Sequence, residues 1–205
     1  MKKTIVKTVM AVTMLLSMVL GQGAGTAAAA SVSTKVPVIT DNLSKYGLKK
    51  DVELPITVTA GGLSYTLHKI MILDFNSKTA LTLRKQYKYT DYSGLIGDPQ
   101  YFIWTKITIT NKSKKTVERS YKDVMYKWSF YFEDGGFADP VDATSERQNK
   151  NSKVALHDFK LKPGESLTTY QALYYKGDFK YLRVAIDFDG QYAKKYVVND
   201  PDLAQ

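Results

Sequence analysis

Period-two alternation is the feature that most constrains what this chain can fold into. In the stretch "QYFIWTKITITN", Ile103, Ile107 and Ile109 alternate with a second series that contains Phe102 and Trp104. Successive side chains of a β-strand point to opposite faces of the sheet, so this pattern predicts a strand. Near the C-terminus, two alternating segments flank Asp189-Gly190, a pair of residues typical of two-residue β-hairpins. The chain is therefore predicted to contain antiparallel sheet.

The same alternation recurs along most of the chain, with turn residues at short spacing. Within "LSYTLHKIMILD" the apolar positions change face after Leu67, which indicates a β-bulge or burial on both faces. A turn at Lys162, Pro163 and Gly164 separates two further predicted strands, whereas residues 137–152 are predicted to form a long polar loop. About eight or nine strands with almost no helical periodicity predict an all-β, immunoglobulin-like antiparallel sandwich.

One stretch, "LTLRKQYKYTDY" from Leu81 to Tyr92, mixes three tyrosines with three cations. Read with period two, its leucines and the first two tyrosines share one face, and Arg84 and Lys88 share the other. This predicts an amphipathic strand with a basic outer face. Arg84, Lys85, Lys88 and Tyr92 are accordingly candidate ligands for an anionic partner.

The chain divides into three predicted regions. Residues 1–30 combine a basic start, the apolar run Val9–Leu20 and a region of small residues, a pattern typical of a secretory signal peptide. The apolar run is shorter than the roughly 20 residues that a membrane-spanning helix needs. Residues 31–50 are predicted to be a flexible N-terminal segment with one possible helical turn before Gly47, and residues 51–200 a single sandwich domain.

Charge and cysteine content limit the possible functions. The sequence has no cysteine, which excludes disulfides, thiolate metal sites and cysteine nucleophiles. It has 29 basic and 20 acidic residues, and without the three signal lysines the formal net charge is 29 − 3 − 20, or +6. A moderately basic surface is compatible with solubility alone and also with an anionic cell-wall polymer as partner.

The order of motifs resembles that of secreted immunoglobulin-like domains of unknown function from Gram-positive-type bacteria, related to the extracellular immunoprotective antigen domain. The resemblance covers residues 54–198 and lies in three turn motifs. These are Asn111 with Ser113, Asp134 with Gly135, and the run Leu161, Pro163, Gly164 and Glu165. The resemblance implies the sandwich fold. Inhibitor domains with a similar plan share two of these turns, and the resemblance offers no catalytic residues.

The search for catalytic chemistry is negative, and we predict neither an enzyme nor a cofactor. No nucleophile-elbow, zinc-protease or phosphate-loop motif occurs. His157 precedes Asp158, and adjacent residues of a strand would point to opposite faces, which argues against a catalytic pair.

Two further sets of residues are candidate sites. Phe102 and Trp104 either are covered by a second layer or form an exposed aromatic pair that could stack on a ligand. Asp134, Asp139 and Asp142 lie in an acidic stretch whose oxygen atoms could hold calcium, although its spacing matches no EF-hand and a solvated loop is the alternative.

Taken together, the sequence favours a secreted, non-catalytic binding module that is extracellular or loosely associated with the cell wall. Its expected partner is an anionic cell-wall polymer or a secreted or surface protein, with no role for nucleic acid and no stable membrane insertion. An inhibitor of an extracellular protease or other enzyme, acting through loop 87–99 or loop 137–152, is the alternative. A hydrolase is a third, weaker hypothesis, and the sequence does not determine the oligomeric state.

Overall fold

The computed structural model describes residues 38–91, 94–123 and 125–204, and these form an all-β fold. The signal-peptide prediction lies outside the described residues. The strands are β1 (Ile56–Ala60), β2 (Leu63–Asp74), β3 (Tyr101–Asn111), β4 (Val117–Arg119), β5 (Trp128–Glu133), β6 (Gly136–Val141), β7 (Phe159–Leu161), β8 (Ser166–Tyr175), β9 (Leu182–Phe188) and β10 (Gln191–Val198). The described helices are α1 (Lys78–Tyr87) and three short 3₁₀ helices, Leu43–Tyr46, Thr144–Glu146 and Pro201–Ala204. Within these ranges, no helix combines the length and apolar character needed to cross a membrane.

The strands pair in the order β1-β2-β3-β8-β6-β5-β9-β10, and β4 pairs separately with β7. Every pairing is antiparallel. We call β1, β2, β3 and β8 the first sheet and β5, β9 and β10 the second sheet; β6 connects them. This confirms the predicted all-β antiparallel sandwich. The described strands number ten rather than eight or nine: the sequence predicts neither β4 nor β6, which begins just before the predicted loop 137–152, and one predicted strand, Leu81–Tyr92, is absent.

The apolar space between the two sheets is filled by aromatic and branched side chains. Tyr65 of β2 packs on Trp128 of β5, with ring centroids 4.9 Å apart. Both side chains also donate hydrogen bonds to the buried amide oxygen of Gln171, Trp128 Nε1 at 3.0 Å and Tyr65 Oη at 3.1 Å. Sharing one acceptor satisfies two buried donors and fixes the separation of the sheets at this point.

The change of face within β2 has a structural cause. The register of β2 against β3 shifts between Leu67 and Lys69, which confirms the predicted irregularity as a β-bulge. After the shift, Ile70 and Ile72 point into the core between the sheets, whereas Met71 joins a second apolar cluster on the outer side of the first sheet. The bulge therefore lets one strand contribute to both cores.

Helix α1 covers the outer side of the first sheet, so the strand predicted for Leu81–Tyr92 is wrong. Ser77 is the N-cap and accepts a hydrogen bond from the backbone of Ala80, and Lys88 ends the helix in the left-handed conformation. The buried positions Ala80, Leu83 and Tyr87 follow helical rather than period-two spacing. The leucine at 81 is exposed, because residues two apart lie on different sides of a helix.

Residues 38–50 are packed on the sandwich, which corrects the expectation of a flexible segment for this part of 31–50. Leu43 and Leu48 are each 1% exposed. Asn42 exchanges two hydrogen bonds with the backbone of Ile72: its amide nitrogen donates at 2.6 Å and its amide oxygen accepts at 2.9 Å. The predicted helical turn is present as the 3₁₀ helix, and Gly47 ends it with a φ of 77°.

Two of the turn motifs that carry the family resemblance meet in space. The side-chain amide of Asn111 donates to the carbonyl oxygen of Leu161 at 2.9 Å, and its oxygen accepts from the backbone nitrogen of Ser113 at 2.9 Å. The backbone nitrogen of Gly164 donates to the carbonyl of Asn111 at 2.7 Å. Asn111 is fully buried, so these bonds hold two turns together that are far apart in the sequence.

The helical geometry of α1 predicts different effects for its two leucines. Leu83→Ala removes a fully buried side chain and is expected to lower the free energy of unfolding by about 2–5 kcal/mol. Leu81→Ala changes a side chain that is 45% exposed, and its effect should stay within about 0.5 kcal/mol. Urea unfolding of both variants measures the difference. Equal losses would contradict the helix, because they require the two leucines to share a buried face.

Candidate ligand-binding pocket

A pocket lies where β6 passes from the second sheet to the first. Ala138 of β6 is in register with β5, but Asp139 to Val141 are in register with β8 instead. Among the described residues, no strand pairs with the second half of β6 on its β5 side, because β5 begins only at Trp128. Pro140 also has no backbone N–H to donate. The resulting cavity has a volume of about 480 Å³, within the range usual for small-ligand sites. Its lining includes Thr90, Gly94, Leu95, Arg119, Tyr121, Asp123, Met125, Tyr126, Tyr131, Phe137, Asp139, Asp142 and Thr144.

A buried ion pair forms the polar part of the pocket. Arg119 of β4 is 4% exposed and contacts Asp142 through both terminal nitrogens, Nη1 at 3.0 Å and Nη2 at 3.3 Å. Nη1 also donates to the carbonyl oxygen of His157 at 2.9 Å. The guanidinium carbon lies 3.4 Å from the ring centroid of Tyr126, whose hydroxyl donates to Asp142. This bidentate contact between guanidinium and carboxylate requires arginine, because lysine has only one nitrogen to offer.

The surroundings of this cluster shift the pKa values of two members. Burial raises the pKa of Tyr126 well above its usual value, and Asp142 raises it further. Burial lowers the pKa of Arg119, but Tyr126 and Asp142 more than offset this, so its pKa is raised overall. The tyrosine therefore stays a neutral hydrogen-bond donor and the arginine stays charged throughout the physiological range.

Apolar side chains surround the opening of the pocket. Leu95 is 58% exposed, Tyr121 is 50% exposed and Met125 is 64% exposed. They come from two separate loops, and among the described residues only four other large apolar side chains are exposed. Because three such side chains lie around one cavity, the arrangement differs from the scattered apolar residues of an ordinary surface.

One hydrogen-bond donor of Arg119 has no partner among the described residues. Nε of Arg119 is buried and has no hydrogen-bond partner within the described part of the chain. Buried polar groups are almost always hydrogen-bonded, so this guanidinium N–H is an exception among the buried donors of the cluster.

The predicted basic site does not form as an exposed face, because Arg84 is buried. Arg84 is 8% exposed; its guanidinium carbon lies 3.7 Å from the ring centroid of Phe75, and Nη2 lies 3.1 Å from Asp91. Lys85 and Lys88 are exposed. Tyr92 lies outside the described residues. Arg84 is thus buried and paired with Asp91, whereas Lys85 and Lys88 are exposed, so the three cations do not form one basic surface.

The aromatic pair Phe102 and Trp104 is not exposed either. Both side chains are fully buried in the second core, where Trp104 stacks on Tyr87 with ring centroids 5.7 Å apart. Of the two possibilities left open by the sequence, burial on both faces of β3 is confirmed. The cover is helix α1 together with the chain that follows it.

The three carboxylates of the acidic stretch that were candidates for calcium lie in separate environments. Asp134 accepts a hydrogen bond from Tyr181 at 3.0 Å, Asp139 is 7% exposed, and Asp142 is paired with Arg119. In the described ranges, no group of three or more histidine or acidic side chains is placed to hold a metal ion. Asp134, Asp139 and Asp142 therefore do not converge on one point.

His157 and Asp158 are closer than the sequence suggested. Nδ1 of His157 lies 2.8 Å from Oδ1 of Asp158, and both residues are buried. The two residues precede β7 and are not in a strand, so the alternation rule does not apply to them. Despite this short distance, Nδ1 of His157 and Oδ1 of Asp158 are not hydrogen-bonded to each other. Neither residue lines the pocket.

Sequence reasoning missed Arg119, Tyr121, Met125 and Tyr126. One signal was available: Arg119 occupies the same face of its short strand as Val117, and an arginine at a buried position needs a carboxylate partner. The loops named in the inhibitor hypothesis do reach the pocket, because Leu95 comes from 87–99 and Asp142 from 137–152.

Comparisons with known proteins give structural similarity only. No family model matches the sequence, and no curated protein matches it. The structure is similar to the yjhA protein of Bacillus subtilis, with 13% identity and a TM-score of 0.39 over 64% of this chain and 76% of that one. It is also similar to ycdA of Bacillus subtilis, a proposed lipoprotein, with 13% identity and a TM-score of 0.42 over 74% of this chain and 42% of that one.

The buried ion pair predicts a large loss on removal of Arg119. Arg119→Leu leaves Asp142 without its cationic partner and is expected to lower the free energy of unfolding by about 3 kcal/mol. Arg147→Leu is the matched control, because Arg147 is exposed and lies over the ring of Tyr121 at 4.6 Å; its effect should be within about 0.5 kcal/mol. Urea unfolding compares the two. Similar small losses would show that the Arg119 cluster is not a structural anchor of the pocket.

Proposed function

We propose that this chain is an exported, non-catalytic binding module whose pocket accepts an apolar group of an extracellular protein partner. The observation that carries the proposal is the convergence of Leu95, Tyr121 and Met125 around one cavity with a buried Arg119–Asp142 pair inside it. The predicted signal peptide supports export.

The composition of the pocket supports a protein partner. Tyrosine, methionine and arginine are enriched at the centres of protein interfaces, where an apolar anchor enters a pocket of the partner. The exposed apolar side chains form the rim here, and burial of each by a partner would remove apolar area from water.

The polar groups of the pocket support recognition rather than catalysis. Asp142 accepts from Arg119 with both oxygens and also accepts from Tyr126. A general base needs a free lone pair directed at the substrate, and three hydrogen bonds from its own protein leave Asp142 poorly suited to that role. The hydrolase hypothesis therefore has less support than binding.

An inhibitor is the second candidate function, and one observation favours it. Leu95 is held at the rim by a loop whose start is tied to the body of the protein: the hydroxyls of Tyr174 and Thr144 donate to the carbonyl oxygens of Thr90 and Lys88, respectively. A tethered loop that presents an exposed apolar side chain suits insertion into an enzyme cleft. Titration of extracellular proteases with the purified protein tests this, and unchanged activity would remove it.

Paired substitutions at the rim test the pocket. We expect the Leu95→Asp/Met125→Asp variant to lose capture of a secreted or surface protein from the producing organism by about tenfold or more, because charged groups cannot be buried against an apolar anchor. The control is Val52→Asp/Leu81→Asp, which makes the same charge change at two exposed apolar residues outside the pocket.

Capture should be measured by pulldown followed by affinity measurement with the recovered protein. Equal capture by the rim variant and the control would overturn the pocket as the binding site. Capture of no protein by the wild-type chain would overturn the protein partner itself.

A further inference from the structure

The outer face of the second sheet carries a row of aromatic side chains around an arginine. The register places Tyr131 of β5 opposite Arg183 of β9, and Arg183 opposite Tyr196 of β10. On the other side of Tyr131 the partner is Phe137 of β6. Cross-strand partners share a face of the sheet, and neighbouring strands are about 4.8 Å apart, so the row extends over about 14 Å.

Contacts between these side chains hold Arg183 in place. Its guanidinium carbon lies 4.2 Å from the ring centroid of Tyr131, 5.7 Å from that of Tyr181 and 6.0 Å from that of Tyr196. Nε of Arg183 is buried and has no hydrogen-bond partner in the parts of the chain that are described. An arginine stacked among rings is preorganised, so little side-chain entropy is lost when it binds an anion.

The same face continues along β10 with further groups of the same kinds. Tyr192 is 58% exposed, and Lys194 is exposed with its ammonium nitrogen 5.7 Å from the ring centroid of Tyr196. In the described structure neither Arg183 nor Lys194 takes part in an ion pair. The face therefore offers flat rings beside two cations that form no ion pair in the described structure. Asp187, opposite Tyr192, is a carboxylate on the same face, so the cations outnumber the acids there by two to one.

We propose that this face binds a phosphate-bearing glycan of the cell wall. The rings of Tyr192 and Tyr196 supply flat apolar surfaces for the C–H faces of sugar rings, and Arg183 and Lys194 supply charge for phosphate groups. A long polymer also suits the shape, because Tyr192 and Lys194 are exposed on the outer face of the sheet and do not line the cavity. The predicted positive charge of the mature chain has the matching sign.

This surface adjoins the pocket, because Tyr131 and Phe137 belong to the row and also line the cavity, but the residues proposed to bind the polymer do not. Arg183, Tyr192, Lys194 and Tyr196 do not line the cavity, whereas Leu95 and Met125 do. The two proposals can therefore fail independently. The Leu95→Asp/Met125→Asp variant is expected to bind walls as the wild-type chain does.

Co-sedimentation of the purified mature chain with isolated cell walls tests the proposal. Two samples are compared: walls that carry their phosphate polymer, and the same walls after acid has removed it. Lys194→Glu should weaken binding to intact walls by about fivefold or more. The matched control is Lys114→Glu, which makes the same charge change at an exposed lysine in the turn after β3. Tyr192→Ala, at an exposed ring, should weaken binding without changing thermal unfolding.

The expected pattern is binding that depends on phosphate, falls as salt rises from about 50 to about 500 mM, and is impaired by Lys194→Glu more than by Lys114→Glu. Equal loss in the two lysine variants would overturn the site, because it would indicate net charge alone. Unchanged binding to phosphate-free walls, or absence of binding by the wild-type chain, would overturn the ligand. Tighter binding to single-stranded DNA or to anionic lipid vesicles than to walls would also overturn it.

Discussion

The double pairing of β6 is the constraint on which the rest of the structure depends. Its first half is hydrogen-bonded to β5 and its second half to β8, so a single short strand joins the two sheets. Backbone groups of a buried strand must be paired, and the change of partner satisfies them while the sheets separate. The pocket is the space left by that separation, and Asp142, directly after β6, reaches Arg119 across it.

The two sheets differ in what covers their outer sides. The first sheet is buried on both faces where the bulge in β2 turns Met71 outward and helix α1 packs over Phe102 and Trp104; beyond that part, its outer face carries accessible polar residues such as Lys69 and Thr168. On the second sheet, Tyr131, Arg183 and Tyr196 of the outer face remain partly accessible. This asymmetry explains why the surfaces available to a ligand lie on the second sheet and around β6, and not on the aromatic side of β3.

The pocket and the aromatic row use arginine in two different ways. Arg119 is neutralised by Asp142 and serves as a fixed polar element inside an apolar cavity, whereas Arg183 is held by rings and retains its charge for an external anion. Buried ion pairs give geometry more than net stability, and cations stacked on rings give a preoriented charge. The proposed roles of protein docking and polymer binding follow from this difference in partners.

The sequence by itself determined the features that depend on local chemistry. Alternation identified β1, β2, β3 and most later strands, and Asp189-Gly190 identified the last hairpin, because both residues can adopt positive φ. Tertiary structure decided the rest. Leu81–Tyr92 alternates like a strand, yet packing of Leu83 and Tyr87 on β3 selects a helix. Arg119 and Asp142 are 23 residues apart, and only the change of partner by β6 brings them together, since a pairing that far along the chain has no local signal.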